Sequence, residues 1–428
     1  MRWAINIIKA DKYLVSSETR LVLLIAQWIV NDRRLPEIET ILAREPVNWE
    51  YFNALLAHHE LSSFAYSCLK NYSSLFPSAE VDLLKKNHYF VLARLAGQEK
   101  EFLEIADIFR GQGIGLLPLK GAAFLIDNMY GDKAGLRPMA DIDILVKKDK
   151  LSQAENLVET LGYQKEFCGL KEDYWRKKGY HVTFIKNKSG KMFSTLLEMH
   201  WLLDYPRNIS LLPSLWGRTR KLQFSGREIA LLSPEDTLFS LALHLRRFGN
   251  VLSLKSACDF ACLLTKYKDL NWDYILKEAK NGQMCASLYF RFIQVKIFFD
   301  IQAPDSLLNS LAPLHYKRGL MERFILKNTF LSLDDTDNRV FLKNHFLAYD
   351  NLWEPVSMII NMPQEQFAKF YRLTPYSVKA ILLYRLRFLY FPGYCVALIL
   401  KAIIRKIVKK KQTTLAPKTK LNNVLDPQ

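Results

Sequence analysis

Two acidic residues separated by one apolar residue, Asp141 and Asp143, lie in an otherwise apolar run, Asp-Ile-Asp-Ile-Leu-Val. The run is typical of a buried strand, and alternation along a strand places both carboxylates on one face, within reach of a shared cation. Aspartate is disfavoured in strands, and adjacent carboxylates repel each other. A divalent metal, Mg²⁺ or Mn²⁺, would offset that cost. The alternative is a strand end or turn whose acids are simply solvated.

A third acid lies in a later apolar run. Residues 195–201, Thr-Leu-Leu-Glu-Met-His-Trp, place Glu198 and His200 on one face of a predicted strand. If this strand lies beside the Asp141–Asp143 strand, three carboxylates converge and can hold two Mg²⁺ ions that clamp a polyphosphate during in-line attack. We expect His200 to hydrogen-bond beside the site rather than to bind the metal directly. An ion pair is the alternative role for Glu198.

A basic turn precedes the acidic strand. The predicted strand at 114–119 is followed by Lys120, Gly121 and a predicted helix. A glycine at a strand-to-helix turn lets a phosphate approach the backbone N–H groups at the helix start. Lys120 and Arg137 could supply positive charge against a triphosphate. Alternatively, Lys120 ends a surface strand and Arg137 pairs with a neighbouring aspartate.

These features, in this order, resemble a known family, the uncharacterised nucleotidyltransferases of the DNA polymerase β-like superfamily. The matching segments are Leu119-Lys120-Gly121, Arg137 through Asp143, Glu198-Met199-His200-Trp201, Ser233-Pro234-Glu235-Asp236 and His244. The resemblance covers about residues 100–280.

The resemblance implies transfer of a nucleoside monophosphate from an NTP to an acceptor hydroxyl, with release of pyrophosphate. Asp141 and Asp143 would bridge metal ions to the phosphates, and Glu198 would complete the catalytic metal site. Lys120, Gly121 and Arg137 would hold the phosphates. The acceptor, a small molecule, a peptide or a protein, stays open.

Ala122 follows Gly121 where the superfamily usually has serine or glycine. This departure leaves open an alternative of another class. In that alternative the nucleotide fold is non-catalytic and serves binding or assembly, tethered to a membrane surface or a partner by a basic tail.

The composition predicts a folded, helix-rich chain. It has 428 residues, of which 50% are hydrophobic and 24% charged, which excludes a disordered protein. We expect an α+β fold with a small mixed nucleotidyltransferase-type sheet flanked by helical segments. The expected divisions are an N-terminal helical segment (1–95), a nucleotidyltransferase-like α/β core (96–215), a C-terminal helical domain (216–370) and a basic amphipathic tail (371–428).

Local signals place the ends of several helices. Asn48, Ser233 and Asn271 precede helical runs as N-caps, and Gly111 or Gly113 is expected to end a helix that starts near residue 81. A further helix is predicted at 151–162, with strands at 180–187 and 192–201.

The charge is concentrated at one end of the chain. The net charge is +17, and from residue 369 onward there are thirteen basic residues but one acidic residue. A nucleic-acid-binding body is therefore poorly supported. Residues 376–411 are both basic and apolar, so they could lie on an anionic membrane surface or pack on the body as a final helix.

The location expected from the sequence is cytoplasmic, with membrane association at the inner surface as an option. Six scattered cysteines favour a reducing compartment, and charges at Lys9, Asp11 and Lys12 interrupt any secretory apolar region. The longest uncharged apolar stretch of the tail, between Arg387 and Lys401, is too short to span a bilayer as a helix.

Overall fold

The computed structural model describes residues 16–31, 36–167, 172–187, 194–204, 214–246, 253–330, 346–351, 353–371 and 373–388. The chain forms two compact units, Met1–Leu352 and Trp353–Gln428. The fold is α+β, rich in helices, with a small mixed five-stranded sheet, which confirms the predicted fold class. Within the described ranges, no helix has the length and apolar character needed to cross a bilayer.

Helices build the part of the chain that precedes the sheet. They are α1 (Ser17–Asn31), α2 (Pro36–Arg44), α3 (Trp49–His58), α4 (Ser62–Leu69) and α5 (Ser78–Gly111). Asn48 caps α3 as predicted, because its side-chain oxygen accepts a hydrogen bond from the Tyr51 N–H at 3.0 Å. Helix α5 ends at Gly111, one of the two glycines predicted to end it.

The central sheet alternates with helices along the chain. Its elements are β1 (Leu116–Pro118), α6 (Lys120–Ile126), β2 (Ile142–Val146), α7 (Leu151–Thr160), β3 (Gln164–Glu166), α8 (Glu172–Lys178), β4 (His181–Lys186) and β5 (Thr195–His200). The strand order is β1-β2-β5-β4-β3. Strands β2 and β5 run parallel, whereas the other neighbours are antiparallel.

One face of this sheet is the apolar core. Ile142 and Ile144 of β2 are buried there with Leu197 and Met199 of β5, against apolar residues of α5 and α7. Since side chains alternate along a strand, Asp143, which lies between the two isoleucines, points to the opposite face. The core packing of the two strands thus decides where the acidic residues lie.

A hairpin that was not predicted follows the sheet. It consists of β6 (Arg220–Phe224) and β7 (Arg227–Leu231). Ser225 and Gly226 form its turn with positive φ angles of 47° and 75°. Both angles are typical of the type I′ turn, which is preferred in two-residue hairpin loops. The Ser-Gly pair was therefore the sequence signal for this hairpin. Strand β3 was also not among the predicted strands.

Helices return after the hairpin. They are α9 (Pro234–His244), α10 (Leu254–Lys266), α11 (Trp272–Asn281), α12 (Cys285–Phe299), α13 (Asp305–Leu311) and α14 (His315–Phe330). Ser233 caps α9 and Asn271 caps α11 through their side-chain oxygens, as predicted. The second unit contains α15 (Trp353–Ile360), α16 (Gln364–Phe370) and helical residues 378–388.

Two sets of sequence predictions fall outside the described residues. The first concerns the start of the chain, residues 1–15, and the second concerns the tail from residue 389 onward. The divisions at residues 95, 215 and 370 stay predictions.

Candidate active site

Three carboxylates converge where β2 and β5 lie side by side. Asp143 stands directly opposite Glu198 in the parallel register, and Asp141 immediately precedes β2. Carboxylate oxygens of the three residues all lie within 4.8 Å of one another. The adjacency of the two strands, a hypothesis from sequence, is confirmed.

Lys120 sits directly against these acids. Its Nζ lies 2.5 Å from Asp143 Oδ1 and 3.7 Å from Glu198 Oε2. The backbone of Lys120 is left-handed (φ 45°), a conformation that costs a residue with a Cβ about 1–2 kcal/mol. The Leu119 N–H donates a hydrogen bond to the Asp143 carbonyl at 2.9 Å, which ties this turn to β2. The strained turn therefore places a cation at the carboxylates.

Two histidines border the same cluster. His200 Nε2 lies 3.0 Å from Asp143 Oδ1 and 3.3 Å from Glu198 Oε2, and the residue is almost fully buried. His181, the first residue of β4, has its Nε2 3.6 Å from Glu198 Oε1. Sequence analysis placed His200 beside the site but did not include His181 among the site residues. The pairing of β4 with β5, which sets His181 opposite His200, could not be read from local sequence.

Asp143 is held in its ionised form. Burial alone would raise the pKa of its carboxyl, but the Lys120 ammonium and the hydrogen bond from His200 outweigh burial and lower it below its ordinary value. The neighbouring Glu198 opposes this effect. An ionised, buried carboxylate is ready to bind a cation without first losing a proton.

Gly121 and Arg137 meet next to the lysine. A Cβ on Gly121 would lie 2.7 Å from Arg137 Nη1 and closer still to Met139 Sδ, so a larger residue here would displace these two side chains. Arg137 is buried and forms a two-point ion pair with Asp259 of α10, with Nε and Nη2 each 2.7 Å from a carboxylate oxygen. Its partner is thus a distant aspartate rather than a neighbouring one.

Asp259 is a residue that sequence analysis missed. It also accepts a hydrogen bond from the Tyr130 hydroxyl at 2.5 Å. The sequence signal for Asp259 was its position as the one acidic residue in the buried apolar run of α10, where a charge needs a partner. The partner could not be inferred, because 122 residues separate Arg137 from Asp259.

A cavity of about 410 Å³ opens from this cluster toward the helices. The lining comes from the C-terminal ends of α3 and α9, the starts of α6 and α10, one residue of α12 and the segment 137–143. Lys120, Gly121, Arg137, Asp141 and Asp143 all border it. Its volume lies in the range of small-molecule sites, about 300–1,000 Å³.

The donor atoms fit a hard divalent cation. Asp141, Asp143 and Glu198 offer carboxylate oxygens alone, the ligand type that Mg²⁺ and Mn²⁺ prefer. A second grouping, Glu198 with His181 and His200, mixes nitrogen and oxygen donors. Both groupings share Glu198, so this residue is common to any metal bound here.

Carboxylates on adjacent strands, a basic strand-to-helix turn and an adjoining cavity are the features that sequence analysis predicted for a nucleotidyltransferase site. The model of the uncharacterised nucleotidyltransferase family matches residues 45–300, more than half of the chain. The chain belongs to this family, and the match supports nucleotidyl transfer as the general reaction. No curated protein and no solved structure matches the chain.

Proposed function

We propose that this protein transfers a nucleoside monophosphate from an NTP to an acceptor hydroxyl and releases pyrophosphate, in a reaction that depends on Mg²⁺ or Mn²⁺. The observation that carries the proposal is the convergence of Asp141, Asp143 and Glu198 beside Lys120. The cavity next to them offers room for a substrate.

Asp141, Asp143 and Glu198 would hold the metal. When bound, the cation would supply positive charge to neutralise the charge that develops on the phosphates during in-line attack. The acceptor oxygen forms a bond to the α-phosphorus, the bond from that phosphorus to the β-phosphate oxygen breaks, and pyrophosphate leaves. Glu198, whose side chain is 15% exposed, would accept the proton of the acceptor hydroxyl.

Lys120, Gly121 and Arg137 would bind the phosphates. Lys120 lines the cavity, so its ammonium group can contact a phosphate oxygen as well as Asp143. The Asp259 carboxylate engages Nε and Nη2 of Arg137 and leaves Nη1, whose protein contact is the Pro138 carbonyl at 3.3 Å. This nitrogen faces the Gly121 turn and is the donor that Arg137 can offer.

His200 would position the carboxylates rather than bind the metal directly. Its Nε2 lies within hydrogen-bonding distance of both Asp143 and Glu198, so it fixes the orientation of two carboxylates at once. The burial of the ring keeps that orientation rigid.

The Lys120–Asp143 ion pair favours one alternative of another class. In this alternative Lys120 serves as the permanent cation of the site, and the fold binds a nucleotide without turnover. Nucleotide binding that needs no Mg²⁺ and survives substitution of Asp141 and Asp143 would favour it over transfer.

The test of the proposed function is transfer of label from each α-³²P-labelled NTP, with Mg²⁺, to pools of small molecules, peptides and proteins. Asp143→Asn should lower transfer at least about a hundredfold, because metal stabilisation of the transition state is worth several kcal/mol. Asp149→Asn, which changes an exposed carboxylate shortly after β2, is the matched control and should leave transfer unchanged. Equal activity of Asp143→Asn and the wild type would refute the assignment.

A further inference from the structure

The cavity lining includes a second buried arginine, Arg291 of α12. This residue is only 1% exposed. Its Nη1 donates to Ser256 Oγ at 3.2 Å and to Gln294 Oε1 at 2.7 Å, and both partners are neutral. Among the described residues, its Nε has no hydrogen-bond partner.

No carboxylate of the described chain forms an ion pair with Arg291. Two other cations of the lining have carboxylate partners: Arg137 pairs with Asp259, and Lys255 pairs with Glu60 at 2.5 Å. Asp259 acts on Arg291 electrostatically, but its oxygens are engaged by Arg137 and Tyr130. Arg291 is therefore a buried positive charge at the cavity wall without a carboxylate partner among the described residues.

A buried guanidinium is costly unless an anion compensates it. Burial lowers the pKa of Arg291 to about 10, which still leaves the side chain charged at neutral pH. The start of α10 adds to the attraction, since Ser253, Lys255 and Ser256 of its first turn line the same cavity, and the positive end of a helix dipole favours an anion. The backbone N–H groups of Lys255 and Ser256 are already used by His59 and Ser253, so side chains would make the contacts.

We infer that Arg291, together with Lys255 of the same cavity lining, forms a subsite for an oxyanion, a carboxylate or a phosphate, carried by the acceptor molecule. The oxyanion subsite stands on its own geometry, whereas its assignment to the acceptor rests on the proposed function.

The subsite is built from residues other than those proposed to bind the nucleotide phosphates. Arg137 touches the Gly121 turn on one side and pairs with Asp259 on the other, and Asp259 is the carboxylate that acts on Arg291. The Arg137–Asp259 pair thus interacts with the Gly121 turn through Arg137 and with Arg291 through the charge of Asp259. An acceptor bound in this cavity with its anionic group at Arg291 would have its hydroxyl toward Asp141 and Asp143, which line the same cavity.

The first measurement uses calorimetry on the full chain with inorganic phosphate and, separately, acetate, without Mg²⁺ or NTP. The wild type should bind at least one of the two anions, and Arg291→Gln should weaken that binding about tenfold or more, as for loss of a hydrogen bond to a charged group. Arg291→Lys should retain part of the affinity. Arg385→Gln, an exposed arginine of the second unit, is the control and should bind like the wild type.

Circular dichroism verifies that each variant is folded. If Arg291→Gln does not fold, the comparison of Arg291→Lys with the wild type still tests the subsite. Whichever anion binds identifies the class of the group. Equal binding by the wild type and the folded Arg291 variants, or no binding of either anion to the wild type, would overturn the subsite.

The second measurement titrates Mg²⁺ and NTP into the wild type and Arg291→Gln. Affinities that agree within twofold assign the oxyanion to the acceptor. A tenfold loss in the variant would show that Arg291 binds the nucleotide itself and would overturn the acceptor assignment. If the wild type binds no NTP, the proposed function fails, and the anion result alone still decides whether the subsite exists.

Discussion

Asp143 is the most constrained side chain of the candidate site. Its Oδ1 has Lys120 Nζ on one side and His200 Nε2 on the other, and the side chain is 2% exposed. Two nitrogen neighbours fix the direction of the carboxylate before any ligand binds. Such preorganisation is what electrostatic catalysis requires, since no energy is spent on reorientation during the reaction.

At this scale we predict that His200→Asn lowers nucleotidyl transfer by about 10–100-fold without abolishing it, because partners that orient metal ligands are worth about that much. The rate of labelled NMP transfer and the Mg²⁺ concentration for half-maximal rate measure the effect, and the latter should rise. His315→Asn, on an exposed helix start, should change neither value. Complete loss of transfer in folded His200→Asn would instead indicate a direct chemical role for the ring.

Among the secondary-structure elements, α10 is joined to the site by a buried ion pair. Asp259 of α10 binds Arg137, which precedes β2, so the pair holds one wall of the cavity against the sheet. Removing one member of a buried pair leaves the other charge without compensation.

Asp259→Asn should therefore lower the free energy of unfolding by about 3–5 kcal/mol. Urea unfolding followed by circular dichroism at pH 7 measures this change. Asp269→Asn replaces an exposed carboxylate just after the same helix and should be nearly neutral. An effect of Asp259→Asn as small as that of the control would contradict the role assigned to the pair.

The same pair predicts a dependence of stability on pH. Burial would raise the pKa of the Asp259 carboxyl, but Arg137 lowers it below the ordinary value. The stabilisation is thus fully present above the unfolded pKa of about 3.9 and is lost as pH falls through the lower folded pKa. The stability difference between wild type and Asp259→Asn should shrink below about pH 4, as urea unfolding at pH 5, 4 and 3 can show. A constant difference would rule out this linkage.

The elements could largely be predicted from local sequence, because their signals are local. Asn48 and Asn271 cap helices with their own side chains, and the alternation of Asp143 with Ile142 and Ile144 assigns the two faces of β2. The pairing of β2 with β5 stayed a hypothesis, because the intervening chain contains two other strands.

The walls of the cavity could not be predicted. Asp259 and Arg291 are each a charged residue flanked by apolar residues in a buried helix, and sequence alone does not reveal which residues a helix contacts across the fold. The sequence does show that a charged residue lies within an apolar run. A buried charge of this kind requires either a partner or a ligand.

At the level of the whole molecule, the main feature is the uneven distribution of charge along the chain. The basic excess lies mainly from residue 369 onward, and the described helical residues 378–388 expose Val378, Leu382 and Leu386 at four-residue spacing. Lys379 and Arg385 are exposed on the same segment. Apolar and basic groups exposed together suit an anionic membrane surface, and we propose that this segment binds one.

The full chain should consequently sediment with vesicles that contain phosphatidylserine, and less with neutral vesicles. Leu382→Asp should weaken this binding, because it places a negative charge in the exposed apolar row. Asp149→Asn serves as a control in the first unit. Raising the salt concentration should also release the protein, since salt screens surface charges. Binding that is equal for neutral and anionic vesicles, or unaffected by Leu382→Asp, would refute the proposal.

The most direct test of the central claim is calorimetric titration of each NTP with Mg²⁺ into the wild type and the double variant Asp141→Asn/Asp143→Asn. The account predicts binding that requires the metal, disappears in the double variant and persists in Asp149→Asn. Nucleotide binding that is independent of Mg²⁺ and unchanged in the double variant, or no binding of any NTP to the wild type, would contradict it.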